Sequence, residues 1–168
     1  MAGSEKEKQM DLKILIDDAS PNELKEIKEL FTETVSSIKK DEYNAEQLKV
    51  WASSAQNDDE KWLDKIINQY FLVAKMDGKL VGFASLEDNT LVDMLYVHKD
   101  FQGKGIAQKL ISVLERKAEI NHSEKIISNV SLTARSFFEK NGFKVVKEQK
   151  NNINDVPIPN LKMVKKLH

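Results

Sequence analysis

The stretch Gln102-Gly103-Lys104-Gly105-Ile106-Ala107 joins a β-like segment over residues 90–97 to a strongly amphipathic segment over residues 106–120. Glycines let the backbone turn tightly and leave its amide N–H groups accessible. The first turn of the helix that follows adds unpaired N–H groups and the positive end of the helix dipole. This junction therefore predicts an anion site that suits a phosphate or a pyrophosphate.

The glycine spacing excludes two common phosphate-binding motifs. A P-loop needs Gly-x-x-x-x-Gly-Lys-Ser/Thr, which the sequence lacks. A dinucleotide-binding fingerprint needs a third glycine and a parallel β-α-β unit, whereas an antiparallel meander is predicted before this stretch. Spacing alone leaves one alternative open, namely a strand-to-helix connection that needs glycine for its turn and binds nothing.

Hydrophobic periodicity predicts the elements around this stretch. Before it we expect a strand over 13–16, three helices that begin near Ser20-Pro21, Asn44 and Asp58, and a meander over 70–76, 79–86 and 90–97 with a turn at Asp77-Gly78. After it we expect a helix over 106–120, a strand over 126–130, a helix over 134–140 capped by Thr133, and strands over 143–147 and 160–164. This order predicts an α/β (α+β) fold with a mixed, mostly antiparallel sheet and helices on both faces.

Length and composition fit one globular domain. The chain has 168 residues, of which 40% are hydrophobic and 32% charged. Residues 1–10 are polar and charged, so we expect a flexible tail there and a single folded domain over 11–168. Because residues 1–10 are polar and no apolar run approaches the ~20 residues of a membrane span, we expect no signal peptide, and we expect a cytoplasmic protein that binds no membrane.

Composition also excludes several kinds of chemistry. The chain has no cysteine, so disulfides, thiolate metal sites and a cysteine nucleophile are excluded. Its three histidines are too scattered for a metal-ligand motif, so no metal is expected. A pI near 6.3 gives no reason to expect nucleic acid as a partner.

Charge is divided unevenly along the chain. Residues 1–97 carry 12 basic and 20 acidic side chains, and residues 98–168 carry 14 basic and 7 acidic ones, giving net charges of −8 and +7. Two solvated faces of one fold would explain this division. Alternatively, the C-terminal half binds an anion and the N-terminal half attracts a small cationic amine, an attraction that salt would weaken.

Two motifs in fixed order resemble the GNAT superfamily of acyl-CoA N-acyltransferases. The first is Gln102-x-x-Gly105-x-Ala107 between strand Leu91–Val97 and a helix. The second is Ser131-x-x-Ala134 followed by Phe137-Phe138-Glu139-Lys140-Asn141-Gly142-Phe143, an ending similar to that of a bacterial subgroup with Phe-Phe-Glu. The resemblance covers residues 71–166 well and the N-terminal helices loosely.

The resemblance implies an acetyltransferase that uses acetyl-CoA as co-substrate. An amine, carried by a small molecule or a peptide, would attack the thioester directly, and a homodimer is an open alternative to a monomer. The amide of Leu95 would face the thioester oxygen as it becomes an oxyanion, while the backbone of strand 94–97 would pair with the pantetheine arm. The implied cofactor-binding residues are Met94, Leu95, Tyr96, Val97, Gln102, Gly103, Lys104, Gly105, Ile106, Ala107, Ser131 and Phe138.

The sequence departs from the family pattern at two positions. Many relatives carry Asn where Ser131 stands, and Tyr where Phe138 stands. That Tyr is the usual general acid, and Phe138 has no proton to give. A second hypothesis therefore stands beside the enzyme: a module of the same fold that binds acyl-CoA without turnover.

Three further residues are catalytic candidates. Asp93 lies mid-strand, near where the family often places an acidic base, although an ion pair with a neighbouring Lys or Arg explains it equally well. Tyr96 is a candidate acid, but strand alternation places it opposite Asp93 and Leu95, and a core aromatic is the favoured interpretation. Tyr43 is the best candidate for a polar role among the aromatic residues of the N-terminal helices, and His98 is expected in a surface loop.

Overall fold

The computed structural model describes residues 13–168, so the predicted tail over 1–10 lies outside the described residues. The helices are α1 (Leu24–Ser36), α2 (Ala45–Ser53), α3 (Asp59–Asn68), α4 (Ile106–Ile120) and α5 (Arg135–Lys140). The strands are β1 (Ile14–Asp18), β2 (Tyr70–Met76), β3 (Lys79–Glu87), β4 (Leu91–Val97), β5 (Lys125–Ser131), β6 (Lys144–Gln149), β7 (Asn152–Ile153), β8 (Val156–Pro157) and β9 (Asn160–Lys166).

Seven strands form one mixed sheet with apolar layers on both faces. Their spatial order is β1-β2-β3-β4-β5-β9-β6. Every neighbouring pair is antiparallel except β4 and β5, which are parallel. One face carries α4, whose Leu110 and Leu114 are buried, and the other carries α1, whose Ile27 and Val35 are buried. The predicted fold class is confirmed.

Local sequence signals explain where several elements begin and how closely they pack. Asn44 accepts a hydrogen bond from the amide of Gln47, whose side chain accepts one from the amide of Asn44, so this predicted capping box opens α2. The predicted hairpin turn has positive φ at both Asp77 and Gly78. A Cβ at Gly82 would meet Ile106 at 3.2 Å, so glycine there lets α4 lie close against β3.

Two local predictions differ from the structure. Ser131, rather than Thr133, opens the segment before α5, because the Ser131 hydroxyl accepts a hydrogen bond from the amide of Ala134 at 3.1 Å. The short hairpin of β7 and β8 was not predicted. Its turn, Asn154-Asp155, has positive φ at both residues, a conformation that Asn and Asp adopt more readily than other residues with side chains.

Candidate active site

A gap in the sheet opens between β4 and β5. The two strands are paired only at Leu91–Ile127 and Val92–Ser128, and they separate beyond these residues. A cavity of about 650 Å³ lies at this gap. Its wall includes Ile106 from α4 on one face of the sheet and Trp51 from α2 on the other, so the cavity reaches both faces.

The loop before α4 has the geometry of an anion site. Gly103 and Gly105 have φ of +77° and +82°, and a Cβ at either position would meet no atom within 4 Å. Within residues 13–168, the amides of residues 103–108 donate no hydrogen bond to another protein group. Free amides, open space and the N-terminus of α4 therefore fit a phosphate or pyrophosphate.

The backbone of β4 presents alternate amides to the gap. The amide of His98 donates to the carbonyl of Val81 at 2.8 Å, so the amides at every second residue before it also point to β3. The amides of Leu95 and Val97 therefore point away from β3. Because β5 pairs with β4 no further than Val92, the Leu95 amide faces the cavity without a strand partner.

The side chain of Gln102 has a structural partner that sequence reasoning did not identify. Its Nε2 donates to the carbonyl of Val97 at 3.0 Å, and the hydroxyl of Thr34 donates to the same oxygen at 3.4 Å. These bonds tie the end of β4 to the loop and to α1. The gap-side carbonyl of Val97 is thereby already hydrogen-bonded.

Asp93 lies in a β-bulge. Ser85 pairs with Met94, but the next residue of β3, Leu86, pairs with Val92, so Asp93 has no partner on β3. The extra residue shifts the alternation, which places Asp93 on the same face as Tyr96. The prediction that these two side chains lie on opposite faces is wrong, whereas Leu95 does lie on the other face, against the α4 layer.

The carboxylate of Asp93 is held by two side chains of the chain segment around α3. Its Oδ2 accepts from Lys65 Nζ at 2.7 Å and from Gln69 Nε2 at 2.9 Å. Lys65 and Asp93 side chains are each 20% exposed, so this ion pair is partly shielded from water. Asp93 also lines the cavity. The ion pair considered from sequence is therefore present, and the role of Asp93 as a base stays a prediction.

Tyr96 packs as an aromatic core residue and also reaches the cavity. Its ring lies 5.0 Å from that of Phe31 and 5.4 Å from that of Phe83. Burial raises the pKa of the Tyr96 hydroxyl, and the negative charge of Asp93 raises it further, while a hydrogen bond with Trp51 acts in the opposite direction. The hydroxyl therefore stays protonated through the neutral range.

Tyr43 connects three parts of the cavity wall. It is buried, its hydroxyl donates to the carbonyl of Pro159 at 2.6 Å, and the same oxygen accepts from the amide of Leu132 at 3.0 Å. Burial is the main cause that raises the pKa of this hydroxyl. Its one proton is committed to Pro159, so the geometry favours an anchoring role for Tyr43 over proton transfer.

The structure brings most of the predicted site residues to this cavity. Of the candidates, those that line it are Tyr43, Asp93, Leu95, Tyr96, Val97, Gln102, Gly103, Gly105, Ile106, Ala107, Ser131 and Phe138. Met94 and Lys104 do not line it. No sequence pattern indicated Thr34, Asn151 and Asn160, which line the cavity from distant parts of the chain.

The expectation that His98 lies in a surface loop is wrong, because the residue is only 8% exposed. Its Nδ1 accepts a hydrogen bond from the amide of Asp100 at 3.1 Å, so the ring proton lies on Nε2 and is donated to Glu33 at 2.9 Å. His98 does not line the cavity. Its contacts make it a cap for the turn between β4 and the glycine loop, the segment over residues 102–105 that precedes α4.

We expect the free energy of unfolding to fall as the pH rises above about 10, the ordinary pKa of tyrosine. The raised pKa of Tyr96 means that the folded protein keeps a proton which the unfolded chain releases. The stabilisation is complete below that pH and is lost above it, by at most about 1.4 kcal/mol per pH unit for each such group. Urea unfolding at pH 9 and pH 11 measures this, and Tyr96→Phe should show a smaller fall. An equal fall in the variant would remove Tyr96 from the explanation.

The part of the chain that the structure describes, residues 13–168, has no helix with the length and apolar composition to cross a membrane. In the same range, no three or more His, Asp or Glu side chains come together as a metal site.

Comparisons with known proteins identify relatives of the whole fold. Residues 39–167 match the family described as "Acetyltransferase (GNAT) domain". The sequence is 28% identical over 137 residues to the uncharacterized N-acetyltransferase YafP of Escherichia coli, a match that covers 82% of this chain and 85% of that protein.

Solved structures share the architecture. A GCN5-related N-acetyltransferase from Rhodopseudomonas palustris is 31% identical with a TM-score of 0.88, covering 91% of this chain and 95% of that chain. The PaiA N-acetyltransferase from Thermoplasma acidophilum, solved in complex with coenzyme A, is 24% identical with a TM-score of 0.74, covering 92% and 99% of the two chains. The family match over residues 39–167 and the similarity to the Rhodopseudomonas protein show that the chain belongs to the GNAT family and is an N-acetyltransferase of that type.

Proposed function

We propose that this chain moves an acetyl group from acetyl-CoA to a primary amine by direct attack. The observation that carries the proposal is the cavity at the β4–β5 gap. It joins the free amides of the glycine loop, the unpaired amide of Leu95 and the carboxylate of Asp93. Coenzyme A bound to the PaiA N-acetyltransferase supports the same ligand here.

The glycine loop fits the pyrophosphate of the co-substrate. The amides of residues 103–107 are free, and the open space beside Gly103 and Gly105 leaves room for phosphate oxygens. The loop leads directly into α4, whose dipole favours a negative charge at this end. The thioester would then lie along β4, where Leu95 offers its amide.

The proposed transfer proceeds through a series of bond changes, and these residues assist particular steps. The amine nitrogen forms a bond to the thioester carbon, and the carbonyl electrons move to its oxygen, which the Leu95 amide stabilises. The oxyanion collapses, the carbon–sulfur bond breaks, and the electron pair leaves on the CoA sulfur. The acceptor binds as an ammonium ion, so one proton passes to Asp93, directly or through a water molecule, before the nitrogen attacks, and the second proton leaves the nitrogen of the tetrahedral intermediate to water.

The thiolate leaves without help from Phe138, which has no proton to give. A thiol with a pKa comparable to the ~8.5 of cysteine gives a tolerable leaving group near neutral pH. A general acid contributes about 10²- to 10⁴-fold in typical cases. For such a leaving group we expect its absence to cost an amount near the lower end of this range.

Phe138→Ala is expected to lower the free energy of unfolding by about 3–5 kcal/mol. The ring is 5% exposed and lies edge-on to Phe137 and Phe143, with centroids 5.6 and 5.0 Å away. Urea unfolding tests this, and the pH dependence of kcat should keep its shape. Phe138→Tyr is the matched control and should fold and turn over normally. A shifted pH profile in Phe138→Ala, with unchanged stability, would contradict a packing role.

A module that binds acyl-CoA without turnover is the second candidate. Phe138 favours it, because the usual proton donor is missing. The ion pair between Asp93 and Lys65 also favours it, because the carboxylate already has a structural partner at 2.7 Å.

Release of free CoA thiol from acetyl-CoA with a panel of primary amines distinguishes the two candidates. Amine-dependent thiol release supports the enzyme. Acetyl-CoA binding by calorimetry, with no thiol release for any amine, supports the binding module. Absence of binding would contradict both.

A further inference from the structure

The end of the cavity formed by the N-terminal helices and the β7–β8 hairpin is largely apolar. The side chains there are Ile38, Tyr43, Trp51, Tyr96, Ile153 and Ile158. Trp51 lies edge-on to Tyr43, with ring centroids 5.6 Å apart. Three aromatic rings in one wall offer a large contact area to an apolar or planar group.

Hydrogen bonds hold this wall in place. Gln47 Nε2 donates to the carbonyl of Pro157 at 2.8 Å, and the Tyr43 hydroxyl donates to that of Pro159 at 2.6 Å. Both bonds tie the start of α2 to the segment that includes β8. The amide of Ile158 donates back to the carbonyl of Asn151 at 2.6 Å, which closes the hairpin. The apolar wall is therefore formed by the fold itself, before any ligand binds.

Charge is scarce in the cavity. Among the described residues that line it, Asp93 is the only one with a charged side chain. That carboxylate already has Lys65 as a partner at 2.7 Å. Within residues 13–97 the other acidic side chains do not line the cavity, so the net charge of −8 over residues 1–97 does not describe this site.

Lys65 and Gln69 both bind Oδ2 of Asp93, and Oδ1, which accepts no hydrogen bond from the described residues, can accept from one ammonium group. A polyamine would place its further positive charges against apolar side chains, and an amino acid would bring a carboxylate to a wall that has no basic residue. Burial of an unpaired charge is costly, so both kinds of acceptor are disfavoured. The uncharged polar groups at this end, Thr34, Asn151 and Asn160, suit a neutral hydrogen-bonding substituent.

We infer that the acceptor is a small amine with a single ammonium group on an apolar, preferably aromatic, body. This inference rests on the proposed function and names the substrate class of the same site. The ammonium group lies toward Asp93 at the β4–β5 gap, and the apolar body packs against Trp51 and its aromatic neighbours. Trp51 is then a specificity-determining residue, because its ring belongs to the wall that the acceptor contacts.

Competing acceptors test this inference. The rate of thiol release is measured with 2-phenylethylamine, hexylamine, spermidine and serine at equal concentrations. We expect kcat/KM for 2-phenylethylamine to exceed that for spermidine and for serine by about tenfold or more, the effect of roughly 1.4 kcal/mol. The kcat/KM for hexylamine should lie between those for 2-phenylethylamine and spermidine, because hexylamine has an apolar body but no ring.

Variants of Trp51 provide a second readout. Trp51→Ala should raise KM for 2-phenylethylamine about tenfold and raise KM for spermidine by less, because spermidine has no apolar body to pack against the ring. Trp51→Phe keeps a ring and should restore most of the affinity. Ile67→Ala, at an exposed position outside the cavity, controls for general effects of truncation.

The outcomes separate this inference from the proposed function. Faster turnover of spermidine or serine than of 2-phenylethylamine would overturn the acceptor class and leave the acetyltransferase intact. An equal rise in KM for all amines in Trp51→Ala would overturn the specificity role of Trp51. Acetyl-CoA binding without turnover of any amine would overturn the proposed function, and the acceptor class with it.

Discussion

Gly105→Glu is expected to weaken acetyl-CoA binding by about 10²- to 10⁴-fold, the loss of two charge-assisted hydrogen bonds. Gly105 has φ +82° at the N-terminus of α4, next to the open space that fits phosphate oxygens. A glutamate brings a negative charge to this point, and its Cβ is strained at that φ. Isothermal titration calorimetry with acetyl-CoA measures the change in Kd.

Gly78→Glu is a matched control for this variant. Gly78 also has positive φ, at +77°, and a Cβ there also meets no atom within 4 Å. It lies in the β2–β3 turn and does not line the cavity. A glutamate there therefore brings the same backbone strain but places no charge in the glycine loop. We expect Kd for acetyl-CoA to stay close to the wild-type value. Unchanged affinity in Gly105→Glu, or an equal loss in both variants, would contradict the phosphate site.

Asp93→Asn is expected to lower kcat by about 10²- to 10⁴-fold, the usual contribution of a general base. Asn keeps the size of the side chain but cannot take a proton from the ammonium group. The acidic limb of the pH–rate profile should change as well. The free energy of unfolding should also decrease, because Lys65 loses its partner at a partly buried position.

Two variants separate catalysis by Asp93 from its ion pair. Glu115→Gln breaks the Glu115–Lys165 pair, whose side chains are 17% and 27% exposed and which lies outside the cavity. It should lower stability but leave kcat unchanged. In Asp93→Asn with Lys65→Met, stability should recover while activity stays low. Recovery of activity in this double variant, or full activity of Asp93→Asn at every pH, would assign proton removal to water instead.

Local sequence signals were sufficient to predict the fold. The Asn44–Gln47 capping box, the Asp77-Gly78 turn and the periodicity of residues 106–120 each depend on neighbours in the chain, and the structure confirms all three. The family and the enzyme class predicted from the two motifs are also confirmed. The predicted glycine loop has the open geometry of an anion site, and its ligand remains a proposal.

The details of the site depend on contacts that sequence spacing does not contain. The bulge at Asp93 arises from its register with β3, and it reverses the face expected from simple alternation. Lys65 and Gln69 reach Asp93 from 28 and 24 residues away. His98 likewise has a hydrogen-bond partner, Glu33, that lies 65 residues earlier in the chain. Periodicity reports which residues are apolar, but not which distant side chains they meet.

The most direct test of acetyl transfer follows both products in one reaction. The protein is incubated with acetyl-CoA and 2-phenylethylamine, free thiol is measured, and the N-acetylated amine is quantified by mass spectrometry. We predict equal amounts of CoA and acetylated amine, and neither product above background when the protein is omitted. Thiol release without acetylated amine, or tight acetyl-CoA binding with neither product for any amine tested, would contradict the assignment of this cavity as the site of an N-acetyltransferase.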